Sequence, residues 1–163
     1  VTACLNGRLE PKGLRVMAVI VTAELTIDVP LPVAFQRFTD YSTWDLWMPP
    51  MFRPITGPSR QLRTGDMLKI DLGEAGRRVR TELNVIRVRP NRELCWRAGV
   101  PGVLVGEHSF FFTETAGRTA LRSEEPFSGM LAHRPLATVI ERSAARLHNQ
   151  MLAGFATHVR ALR

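Results

Sequence analysis

The segment Val103–Gly129, VLVGEHSFFFTETAGRTALRSEEPFSG, constrains the fold of this chain more than any other stretch. Two alternating runs flank Ala116-Gly117, which reads as a two-residue hairpin turn. Thr115 then stands opposite Arg118, Phe112 opposite Leu121, Phe110 opposite Ser123 and His108 opposite Glu125. A slip of one residue would turn every side chain to the other face, so the register is strongly specified. One face carries Phe110, Phe112, Leu121 and Phe127, together with the ionisable pair His108 and Glu125. Such a pair on an apolar face is either a buried structural ion pair or part of a site.

The hairpin precedes a long amphipathic segment. Pro135 suits a first helical turn. Leu136, Val139, Ile140, Ala144, Leu147, Met151, Phe155, Val159 and Leu162 then follow the three-four spacing of one helical stripe. The opposite face is assigned Glu141, Arg142, Arg146, His148, Gln150 and Arg160.

Upstream, Val21–Val29 alternates and ends at Pro30, as a strand does. Val33–Thr39 reads as a short helix, and Asp40 is placed to cap a second one over Tyr41–Leu46. Pro49-Pro50 stops it. Phe52–Thr56 and Asp66–Leu72 read as strands. Arg78–Arg89 and Glu93–Ala98 form another hairpin around Pro90-Asn91, with two possible facings. A three-residue loop pairs Ile86 with Trp96 and Val88 with Leu94; a two-residue turn pairs Val85 with Trp96 and Leu83 with Ala98. A bulge reconciles the two. The whole describes an α+β layer fold with two short helices after the first strand and about six to seven strands.

A chain of 163 residues with 45% hydrophobic content accommodates one soluble domain with a substantial core, and no segment resembles a membrane span. The expected division is a leader over residues 1–20 and a single domain over 21–163. Arg8, Lys12 and Arg15 before VMAVIVTA allow a signal peptide, but the run is short and merges into the first strand. The preferred reading is a flexible leader, with Met17 as an alternative start. Only Cys4 and Cys95 are cysteines, which argues against a structural disulfide and for a cytoplasmic location. The net charge is +7 and nearly all of it is arginine. The run Arg77, Arg78, Arg80, Arg87, Arg89, Arg92, Arg97 reads as a solvated outer face. It leaves room for weak attraction to anionic membranes. Nucleic acid is not expected, because no stacking aromatics interleave.

The order of motifs resembles the helix-grip fold of the START/Bet v 1-like superfamily, also known as the SRPBCC or polyketide cyclase/dehydrase family. The residues that carry the resemblance are Val29-Pro30 with Val33-Ala34-Phe35, then Phe38–Trp44, and Arg89–Leu94 with Trp96. Gly106-Glu107-His108 with Phe110, Gly117, Thr119, Glu125 and Phe127-Ser128-Gly129 form the most specific part. It covers roughly residues 21–162. Asp45 and the doubled Pro49-Pro50 depart from the family pattern. The resemblance implies a curved antiparallel sheet wrapped on the C-terminal helix, with a cavity between them. It implies no chemistry, since the superfamily spans lipid carriers, hormone binders, aromatase/cyclases and co-chaperone-like domains.

His108 and Glu125 are the candidate site pair: a structural bond, a ligand-orienting pair, or a general base. A carboxylate beside an imidazole is expected to raise its pKa. Trp96, Phe110, Phe112, Leu121, Phe127, Leu147, Met151 and Phe155 are the candidate cavity walls, with ordinary core as the competing role. Trp44 reads as a structural plug. Trp47 and Met48 are candidates for a gate, because no helical pattern demands them inside. The scattered His133, His148 and His158 and the distant cysteines make no metal pattern, so no metal is expected. No phosphate-cradling loop or serine elbow is present, and no cofactor is implied. The expected function is binding of a hydrophobic small molecule: a lipid, a polyketide-like or an aromatic metabolite. A cofactor-independent cyclase, aromatase or dehydratase and a ligand-free interaction module are its rivals.

Overall fold

Alternating apolar positions produce seven strands among the described residues: β1 (Val19–Ile27), β2 (Phe52–Thr56), β3 (Met67–Leu72), β4 (Val79–Arg89), β5 (Glu93–Val100), β6 (Leu104–Thr115) and β7 (Arg118–Ser128). The computed structural model describes residues 19–133 and 135–161. The proposed leader and Cys4, up to residue 18, and Leu162 lie outside them. Helix α1 (Leu31–Thr39) and a 3-10 segment (Tyr41–Leu46) follow β1, and α2 (Ala137–Ala161) is the last described element. The strands form one curved antiparallel sheet in the order β1-β7-β6-β5-β4-β3-β2.

The β6–β7 register is the one that the turn dictates. Thr115 pairs with Arg118, Phe112 with Leu121 and Phe110 with Ser123. The same register resumes at Gly106↔Phe127, so His108 stands across from Glu125. In the β4–β5 hairpin both candidate facings occur. Val88 pairs with Leu94 beside the turn, and Val85 with Trp96 and Leu83 with Ala98 beyond it. The register shift between Val85 and Arg87 absorbs the difference at Ile86.

The Asp40 carboxylate accepts from the Ser42 amide, as expected of a cap. The 3-10 segment turns inward rather than outward. Trp44 is fully buried and donates from Nε1 to the Phe38 carbonyl at 2.9 Å. Trp47 and Met48 are buried too, and Trp47 packs on Phe38 and Phe155. They are therefore core residues here, not exposed loop side chains at a mouth. The physical cause is a close approach: a Cβ on Gly154 of α2 would collide with the Trp47 carbonyl, so a bare glycine lets the segment lie against the helix.

The α2 stripe holds from Ala144 to Val159. Leu136 and Val139, assigned to the same stripe, are 45% and 61% exposed. The helix begins before the main core reaches it; Ile140 and Ala144 instead pack in a small satellite cluster with Val21, Phe127 and Ala132. On the outer face the arginines find acids: Arg80 with Asp71, Arg87 with Glu93, and Arg97 with Glu107. No helix among the described residues is long and apolar enough to cross a membrane.

Candidate functional site

Four polar side chains meet inside the grip. His108 comes from β6, Ser123 and Glu125 from β7, and His148 from α2. All four are buried. His108 Nε2 lies 2.7 Å from Ser123 Oγ, and Ser123 Oγ lies 3.0 Å from His148 Nδ1. His148 Nε2 lies 2.8 Å from Glu125 Oε2. A carboxylate accepts, so His148 donates from Nε2. The Ser123 hydroxyl bridges the two rings, between His108 Nε2 and His148 Nδ1. The four groups form one continuous chain of hydrogen bonds.

Local sequence explains each placement. Alternation along β7 puts Ser123 and Glu125 on the inner face with Leu121 and Phe127. Glu125 needs room: a Cβ on Gly106 would meet its Oε1 and, at 3.0 Å, the Phe127 ring. Only Glu125 of the four keeps appreciable access, with its side chain 11% exposed.

The helical pattern of apolar residues alone puts His148 on the polar face of the helix. The structure places it inside, fully buried between Ala144 and Met151. Its spacing of four after Ala144 and three before Met151 was the signal that it shares the apolar stripe. The partner of Glu125 is thus His148, while His108 Nδ1 stands at 3.8 Å, beyond hydrogen-bond range. The expected rise in the His108 pKa is also reversed. Burial, followed by the nearby His148, drives it well below the ordinary histidine value. Burial therefore favours the neutral imidazole at His108.

The imidazoles of His108 and His148 stack with centroids 4.0 Å apart and planes 12° apart. His108, Glu125 and His148 each offer a metal-ligating atom within 4.8 Å of the others. An imidazole binds a metal in its own plane, and two stacked parallel planes do not share one ion, so this geometry does not match a metal centre. Glu125, His148 and Ser123 also have the connectivity of a hydrolase triad. A nucleophilic serine needs an approach for a carbonyl and donors for its oxyanion. Ser123 is fully buried in mid-strand between two imidazoles, so the chain suits proton sharing rather than acylation.

The candidate walls divide into groups. Trp96, Phe110, Phe112, Leu121, Met151 and Phe155 are buried in the main core. Phe38 packs on Phe110, Phe112 and Phe155 at centroid distances of 4.8, 5.4 and 4.9 Å. At their level the space between sheet and helix is filled with side chains. Leu147 is only partly buried against that core, and Phe127 belongs to the satellite cluster. Past His108 the inner face opens: Ala98 is half-buried and Val79 and Val100 are exposed.

The sequence matches no family model and no curated protein. Solved structures do match. The di-domain ARO/CYC StfQ of the steffimycin biosynthetic pathway superposes with a TM-score of 0.71 at 14% identity, over 90% of this chain and 52% of that one. Ara h 8.0201 superposes with a TM-score of 0.66 at 13% identity, over 88% and 99% of the two chains. This chain has the helix-grip fold. DynU16, a putative protein of the dynemicin biosynthetic locus, shares the helix grip at 18% identity and a TM-score of 0.65. The match covers 87% of this chain and 47% of DynU16, so the chain spans about half of DynU16 and of StfQ. At these identities the likeness concerns fold.

Proposed function

We propose that this helix-grip protein binds a hydrophobic small molecule, a lipid, polyketide-like or aromatic metabolite, at the open end of its inner sheet face. The observation that carries the reading is the buried chain His108–Ser123–His148–Glu125 on an otherwise apolar face. Four polar groups cost desolvation, and an apolar core would have been simpler. Glu125, the one member of the chain with appreciable access, orients a carbonyl or hydroxyl of a ligand whose apolar body lies along the inner face toward Val100. The name of StfQ, an ARO/CYC of a biosynthetic pathway, agrees with a small-molecule ligand. The same chain also favours a second reading, a cofactor-independent cyclase or dehydratase in which Glu125 exchanges a proton with substrate and the His148–Ser123–His108 relay supports it.

The test is native mass spectrometry of the purified protein, followed by extraction and by titration with a fluorescent fatty acid and an aromatic polyketide. Saturable binding that weakens in Glu125→Gln supports the reading. Absence of binding by both probes, with no co-purified ligand, overturns it and favours an interaction module, to which the filled aromatic core is well suited.

A further inference from the structure

A cavity of about 760 Å³ opens away from the polar chain, between α1, the loop over residues 60–64 and the β4–β5 turn. Its walls are preformed. The loop is tied to α1 by Leu62 N to Thr39 O at 2.8 Å, and to β4 by Val88 N to Thr64 Oγ1 at 2.9 Å. Binding there would not have to order the loop first. Phe35, Leu62 and Val88 supply an apolar floor. No acidic residue lines the cavity, while Arg60 and Arg63 do.

The two arginines are not equivalent. Arg60 grips both Asp66 oxygens, at 2.8 and 2.9 Å, and the Gln61 carbonyl at 2.7 Å, so it is committed to holding the loop. The Arg63 guanidinium makes no hydrogen bond or ion pair among the described residues; Asp66 attracts it only at longer range. The cavity thus combines an apolar floor with one uncommitted cation. The geometry points to a second ligand site, distinct from the polar chain, for a small amphipathic carboxylate: a flat or aliphatic body on the Phe35–Leu62 floor, its anion on Arg63. The volume lies within the range of sites for such molecules.

The experiment uses 2-naphthoate as probe and the uncharged 2-naphthamide as its control, on the ¹⁵N-labelled full chain. The expected result is a saturable shift of the Leu62, Thr64 and Asn91 amides with naphthoate. Arg63→Ala weakens it at least about tenfold, Arg63→Lys weakens it less, and naphthamide binds as weakly as in Arg63→Ala. Three results overturn the proposal: no saturable shift up to millimolar probe, shifts centred on His108 and Ser123 instead, or an affinity unchanged in Arg63→Ala.

Discussion

His108 and His148 stack face to face, 4.0 Å between centroids, with the Ser123 hydroxyl bonded to a ring nitrogen of each. One strand, its neighbour and the closing helix are thereby joined through a single oxygen. Two stacked, buried rings do not both carry charge readily, and that makes the site sensitive to acid.

Stability should therefore fall as pH drops. The folded His108 pKa lies well below the ordinary value of 6.5, because burial and then His148 oppose its charge. The unfolded chain takes up the proton first, so stability is retained above the unfolded value and lost below it, by about 1.4 kcal/mol per pH unit. The groups facing His108 are His148, Ser123 and Glu125. Urea unfolding at pH 7, 6 and 5 should show this slope in the parent and a shallower one in His108→Gln. Equal slopes would sink the assignment.

Ser123→Ala leaves a ring nitrogen of each histidine without its partner. The expected loss is about 1–3 kcal/mol, the cost of buried groups left unpaired. Chemical denaturation measures it; a change within 0.5 kcal/mol, roughly what surface substitutions show, would mean water replaces the hydroxyl.

Gly106→Ala should dislodge Glu125 from His148, because the added methyl occupies the space of the carboxylate. A destabilisation of about 1–3 kcal/mol is expected. In a double-mutant cycle with Glu125→Ala the two losses should be far from additive. Additive losses would show that the methyl acts elsewhere.

Gly154→Ala sets two effects against each other. Alanine favours a helix by about 1 kcal/mol over glycine. The methyl would collide with the Trp47 carbonyl, and a backbone atom cannot swing aside as a side-chain end can. Overpacking should win, lowering Tm and exposing Trp47, read as a red shift in tryptophan emission. A raised Tm would contradict the close approach.

The architecture was legible in the chain because period and turn chemistry are local. Ala116-Gly117 fixed one register, and even the conflict around Ile86 was visible as two incompatible pairings. The pairing of His108 with Glu125 across the hairpin is legible for the same reason, since strand alternation decides which side chains share a face. What alternation cannot decide is which element covers that face. Tertiary packing chose His148 as the partner of Glu125, turned Trp47 inward, and filled the centre of the expected cavity with aromatic rings. It also reversed the charge preference of His108. The pKa of a buried group depends on the water removed and the neighbours brought in by segments distant in sequence, and those are properties of the assembled fold.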